Sequence, residues 1–97
     1  MGKVLKGKVE MHAIVRGYVQ GVGFRATAYV QATRLGITGT VKNLADGTVE
    51  IFAQGEKHNL DRFLSEMKDH PRLPKVDAVD KSYYPPSKLF KKFQIVY

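Results

Sequence analysis

Val9, Met11, Ala13 and Val15 alternate with Glu10, His12 and Arg16. This period of two predicts a strand over residues 9–16 with one buried face. The pattern breaks across Gly17 to Gly23, a stretch with three glycines. Phe24, Ala28, Ala32 and Leu35 then recur at helical spacing, and Gly36 is a natural C-terminal stop. Thr38 to Leu44 and Thr48 to Gln54 read as two further strands. Ala45-Asp46-Gly47 between them signals a hairpin, because glycine tolerates positive φ. After Gly55 a second helix is expected, capped by Asn59, with Leu60, Phe63, Leu64 and Met67 on one face. His70-Pro71 and Pro74 end it. Lys75 to Tyr84 supplies a fourth strand, Pro85-Pro86 breaks it, and Phe93, Ile95 and Tyr97 mark a short last one.

The resulting order is β-α-β-β-α-β with a terminal strand. An α+β sandwich satisfies it most economically, with two helices on one face of a mostly antiparallel, four- to five-stranded sheet in the ferredoxin-like arrangement. Ninety-seven residues allow one such domain. We expect it to span residues 9–97, preceded by a basic extension over residues 1–8. No internal repeat interrupts this plan.

Composition narrows the chemistry. Cysteine is absent, which excludes disulfides, thiolate metal sites and Cys nucleophiles. No apolar run of signal-peptide length follows the basic Met1 to Lys8 segment, and Lys6 stands where a myristoylation motif needs Ser or Thr. No stretch approaches the roughly 18 apolar residues of a membrane span, so the expectation is a cytoplasmic protein without membrane contact. Sixteen basic against nine acidic residues leave a net charge of +7. Part of that excess lies near the ends, in Lys3, Lys6, Lys8, Lys88, Lys91 and Lys92. It is either solvated charge or an attraction for anions such as phosphorylated metabolites or nucleic acid.

The Gly17 to Gly23 break lies between a strand and the helix that it opens. Helix N-termini present unpaired N–H groups and the positive end of a dipole. Glycines let the backbone curl so that several such groups converge on one oxyanion. Arg25, in the first turn, is electrostatically misplaced for the helix alone. It fits if an anion binds there, gripped by the guanidinium. A plain connector is the simpler account of the glycines by themselves. Gly21-x-Gly23-x-x-Ala26, with Asp46 about 20 residues on, also matches a loose dinucleotide fingerprint. That fold needs repeated βαβ units, which this chain does not supply. A Walker A loop would end in Gly-Lys-Ser/Thr, unlike Phe24-Arg25-Ala26.

Two blocks carry a resemblance. Gly17-x-Val19-Gln20-Gly21-Val22-x-Phe24-Arg25, followed by Gly39-x-Val41-Lys42-Asn43-x-x-Asp46-Gly47-x-Val49-Glu50, resembles the acylphosphatase family in motif order, spacing and length over roughly residues 9–97. The resemblance implies a hydrolase that cleaves acyl phosphates to carboxylate and inorganic phosphate, the latter also a competitive ligand. It implies that Arg25 binds the phosphate and Asn43 orients the attacking water, with the loop of Gly17, Tyr18, Val19, Gln20, Gly21, Val22 and Gly23 holding the substrate. It also implies that the substrate's own phosphate accepts the proton. Thr40, Leu44 and His70-Pro71 depart from the family pattern, where an aromatic, a hydroxyl in some members, and Gly-Pro are usual. None of these removes a group that the chemistry requires.

The residues suit that chemistry. A carboxylate is a stable leaving group near neutral pH, so no general acid is needed. Phosphoryl transfer chiefly needs positioning and charge neutralisation. No cofactor or metal is expected, since His12, His58 and His70 are scattered without ligand spacing, and a monomer is expected. Asp46 reads as a turn former. Among the Tyr18 groups, only the backbone N–H enters the site. The alternative is a ferredoxin-like RNA-binding module, suggested by the strand order, the charge and Arg16-Gly17-Tyr18, which resembles the start of an RNP1 motif. RNP1 belongs on the third strand, however, and Thr48 to Phe52 carries an acid and one aromatic. No nucleic-acid partner is therefore expected.

Overall fold

The computed structural model describes residues 7–86 and 88–97. The expected basic extension, residues 1–8, lies outside the described residues except for Gly7 and Lys8. Seven elements follow: β1 (Lys8–Gly17), α1 (Phe24–Arg34), β2 (Thr38–Asn43), β3 (Val49–Glu56), α2 (Lys57–Lys68), β4 (Val76–Tyr84) and β5 (Phe93–Val96). The strands form one sheet in the order β4-β1-β3-β2-β5. All pairings are antiparallel except β2 with β5, which is parallel. The α+β sandwich is as expected, with the fifth strand making the sheet mixed.

Strand alternation sorts the side chains. Met11, Ala13 and Val15 of β1, Val41 of β2, and Val49, Ile51 and Ala53 of β3 are buried on one face. Both helices cover that face. α1 contributes Phe24, Ala28 and Ala32, whose small alanines let the helix lie close to the sheet, while Tyr29 and Val30 remain exposed. α2 contributes Leu60, Phe63, Leu64 and Met67 at the predicted spacing. Phe63 meets Phe93 of β5 edge-on, with centroids 6.1 Å apart. Burying each large side chain in this layer stabilises the fold by about 1.5–3 kcal/mol.

The start of α2 differs from expectation. The helix begins at Lys57, directly from extended Glu56 (φ −70°, ψ 143°), and no side chain caps it. Asn59 therefore lies inside the first turn. β3 continues past Gln54 to Glu56 because its ladder with β1 runs to the Lys8–Glu56 pair, which leaves no loop for an Asn cap. The first turn is instead braced by Lys57 Nζ, 3.0 Å from the Asp61 carboxylate.

α2 is fastened to edge strand β4 through the same Asp61, which accepts a hydrogen bond from the Tyr83 hydroxyl and lies 3.5 Å from Lys81 Nζ. The Tyr83 hydrogen bond, then Lys57, hold the Asp61 carboxyl down at about 2. Burial, then the facing carboxylate, push the Tyr83 phenol up to about 12. Both shifts favour the native pair of carboxylate and neutral phenol.

At Gly39, φ is 144° and a Cβ would lie 1.8 Å from the Phe52 carbonyl oxygen, so β2 can approach β3 here only without a side chain. Gly39→Ala should cost about 2–4 kcal/mol through strain and overpacking. For a domain this size, thermal unfolding by circular dichroism should then show Tm lower by roughly 10–25 °C.

The Asp61–Tyr83 fastener predicts two pH windows. Asp61's folded pKa is depressed, so its contribution is present above its unfolded value and is lost as pH falls towards about 2. Tyr83's folded pKa is raised, so its contribution is present below the ordinary phenol value and is lost as pH rises towards about 12. Urea midpoints for wild type and Asp61→Asn should converge at the acid end, and those for wild type and Tyr83→Phe at the alkaline end.

Candidate active site

β3 pairs with β1 on one side and β2 on the other, both antiparallel, so β1 and β2 run in the same direction. Val49 is the shared partner, opposite Val15 in one ladder and Asn43 in the other. The ends of β1 and β2 are thereby level. The glycine loop that leaves β1 and the Asn43 side chain that ends β2 fall at the same edge of the sheet.

The loop follows the conformational logic of its glycines. Gly21 (φ 76°) and Gly23 (φ 85°) occupy the left-handed region that other residues avoid. Gly23 serves as the N-cap of α1 with no side-chain cap, and the first turn holds no acidic residue. The first helical bond recorded there is from Thr27 N–H to the Gly23 carbonyl, 3.0 Å. The N–H groups ahead of it belong to the set that a helix cannot satisfy internally. Together with the dipole, they make an electropositive start to the helix.

These features border one cleft of about 170 Å3, below the roughly 300–1,000 Å3 typical of drug-sized ligand sites. Val19, Gly21, Gly23, Phe24, Arg25 and Ala26 form its loop-and-helix wall. Asn43 closes it from β2, and Ile95 and Tyr97 from the β5 side. The Asn43 Oδ1 atom is buried without a hydrogen-bond partner. Arg25 is half-buried, and its guanidinium carbon lies 4.9 Å from the centroid of the exposed Tyr97 ring. A cation, unpaired N–H donors and an unpaired carbonyl oxygen thus share a small space, a combination suited to an anion and a polar molecule beside it.

The sequence-predicted residues fall into two groups. Arg25, Asn43, Val19, Gly21 and Gly23 border the cleft, whereas Gly17, Tyr18, Gln20 and Val22 do not. Gly17 ends β1, packed so close to Asp77 that a Cβ would sit 2.9 Å from its nitrogen. Tyr18 points to solvent at 70% exposure, and Val22 packs on the core. Gln20 turns away, and its Nε2 donates to the carbonyls of Leu44 and Thr48, each at 2.8 Å. Ile95 and Tyr97 border the cleft although their local signal was only strand alternation. The parallel pairing of Lys42 with Val96 is what brings Tyr97 beside Asn43.

The remaining candidates lie elsewhere. His12 stacks on Phe52 (4.6 Å) and meets the Glu50 carboxylate at 2.7 Å, on the sheet face opposite the helices. His58 lies 3.6 Å from Glu56 on the surface, and His70 Nδ1 accepts from the Arg72 backbone N–H. Asp46 closes the β2–β3 turn, accepting from the Thr48 hydroxyl and N–H. Those bonds, the hydroxyl first, lower its pKa.

The acylphosphatase family model matches residues 11–95. The chain belongs to the acylphosphatase family. It is 48% identical over 84 residues to the acylphosphatase of Lactobacillus johnsonii, covering 86% of this chain and 92% of that one. It is 50% identical over 68 residues to the acylphosphatase of Thermus thermophilus, covering 70% and 77%. The crystal structure of acylphosphatase from Bacillus subtilis superposes with a TM-score of 0.86 at 35% identity, covering 92% of this chain and 99% of that one. These matches bear out the expected acyl phosphate hydrolase and do not favour the RNA-binding alternative. Among the described residues, no helix is long and apolar enough to cross a membrane.

Gly21 has open space where a Cβ would go, so a side chain there meets backbone strain rather than a clash. Gly21→Ala should cost about 1–2 kcal/mol of loop conformation and re-aim the neighbouring N–H groups. Inorganic phosphate should then inhibit several-fold more weakly in a competition assay, with far-ultraviolet circular dichroism unchanged.

Proposed function

We propose that this acyl phosphate hydrolase holds its substrate's phosphate on the cleft-lining part of the Gly17–Gly23 loop (Val19, Gly21 and Gly23) and on Arg25, and directs water onto it from Asn43. The unpaired, buried Asn43 Oδ1 in the same cleft as Arg25 is the observation that carries this reading. The backbone N–H groups around Gly21 and Gly23 and the guanidinium neutralise the phosphoryl oxygens, the main requirement for phosphoryl transfer. Asn43 cannot serve as a base near neutral pH. Its Oδ1 instead accepts one hydrogen of a water, which aims the oxygen lone pair at phosphorus. The new P–O bond forms as the bond to the carboxyl oxygen breaks. That oxygen departs with the electron pair as carboxylate, and the water's other proton passes to a phosphoryl oxygen. The products are a carboxylate and inorganic phosphate, and the latter remains a competitive ligand of the loop.

Leaving-group stability explains how so few groups suffice. An ordinary phosphate ester would expel an alkoxide and require an acid, which the cleft does not offer. The proposal extends to a metal- and cofactor-independent, cytoplasmic monomer formed by residues 9–97, without a nucleic-acid partner. Two facts support the last point: His12 covers Phe52, the aromatic on the outer face of β3, and Glu50 adds a carboxylate beside it.

Hydrolysis of benzoyl phosphate tests the assignment. Arg25→Ala and Asn43→Ala should each lower kcat/KM by about 100- to 1,000-fold, the scale of losing one preorganised electrostatic partner. Only Arg25→Ala should also weaken inhibition by inorganic phosphate. A chelator should leave the wild-type rate unchanged. Undiminished turnover in either variant would remove that residue from the mechanism.

A further inference from the structure

Holding a phosphate and aiming a water are tasks of two separate chain segments, residues 17–25 and the end of β2. Their relative placement must be fixed to within a fraction of an ångström, since a misplacement of about 1 Å can cost 100-fold in rate. Among the described residues, the only hydrogen bonds that join the 17–23 loop to the 44–48 turn are the two from the Gln20 side chain. Both run from Nε2 at 2.8 Å, one to the Leu44 carbonyl and one to the Thr48 carbonyl.

Those carbonyls are not arbitrary acceptors. Leu44 directly follows Asn43, and its N–H donates to the Thr48 carbonyl at 2.9 Å. Its own carbonyl accepts from Gly47 N–H at 3.2 Å. The turn is closed again by the Asp46 carboxylate on the Thr48 N–H and hydroxyl. It is therefore a stiff unit that carries Asn43 at one end, and Gln20 uses both amide hydrogens to hold it. Gln20 itself does not border the cleft. Its neighbour Gly21 does, on the phosphate side.

We infer that Gln20 is a positioning residue, which sets the Asn43 amide at working distance from a phosphate held by the loop and Arg25. It touches neither substrate nor water and acts through the turn. The inference rests on the roles proposed for Arg25 and Asn43. It separates aiming from gripping: without Gln20 the loop and Arg25 still hold phosphate, while Asn43 drifts.

Gln20→Met keeps the side-chain length and removes both donors, and Gln20→Ala removes the reach as well. With benzoyl phosphate, kcat should fall on the order of 10- to 100-fold in both, while the inhibition constant of inorganic phosphate stays within about threefold of wild type. In an Asn43→Ala background the same substitutions should change kcat by less than about twofold, because the group being aimed is gone. An unchanged kcat in the single variants would overturn the inference. So would a phosphate affinity that falls in step with kcat, or a full multiplicative loss on top of Asn43→Ala. Failure of both Gln20 variants to fold would assign the residue to the scaffold and overturn it too. Full activity in Asn43→Ala alone is a separate result, which removes the role of Asn43 on which the inference stands.

Discussion

Everything at the active edge depends on β3 lying antiparallel between β1 and β2. Because Val49 faces Val15 on one side and Asn43 on the other, the loop and the amide reach the same height of the sheet. A one-residue slip of β2 against β3 would turn Asn43 and Val41 to the opposite face, and a slip of β1 against β3 would do the same to Met11, Ala13 and Val15. Such a slip is costly because Val41, or Met11, Ala13 and Val15, would have to leave the core. Gly39 adds a second lock, because only a glycine allows β2 to come so near the Phe52 carbonyl. The geometry of the proposed site is thus inherited from hydrophobic register.

Polar satisfaction separates the scaffold from the cleft. Among the described residues, Thr48 and Gln54 are the buried polar ones, and both are paired: Thr48 with Asp46, and Gln54 with Glu10, the Lys88 carbonyl and the Phe90 N–H. Asn43 Oδ1 is the exception. A buried acceptor without a partner costs on the order of 1–3 kcal/mol, and the start of α1, which no side chain caps, adds N–H donors that the helix cannot satisfy internally. The structure concentrates unmet hydrogen-bonding capacity where substrate and water would arrive. Such a cleft needs little reorganisation to receive an anion, which is how preorganised dipoles lower a barrier.

Much of this was legible in the chain, and what was not has a common cause. Alternation of Met11, Ala13 and Val15 located β1, and the spacing of Leu60, Phe63, Leu64 and Met67 located α2, because burial imposes those periods locally. The glycines and Arg25 were readable as a candidate anion site because a cation in a helix's first turn opposes its dipole. The start of α2 was misplaced at Asn59, since a good capping residue outweighed a ladder whose length is set by β1. Tyr97's place in the cleft follows from the parallel β2–β5 pairing, and Gln20's reach from the β1–β3–β2 register. Neither leaves a local trace, because each depends on a partner some 24 or more residues away.

The cleft's three walls come from residues 19–26, from Asn43, and from Ile95 and Tyr97, joined by strands that pair out of sequence order. No single stretch of chain supplies all three walls. Long-range pairings carry a loop-closure cost before they return any contact energy, which slows folding. The cleft is complete only once β5 lies beside β2. A partly folded chain can own a complete glycine loop and still lack the far wall, so a complete cleft reports on the whole topology.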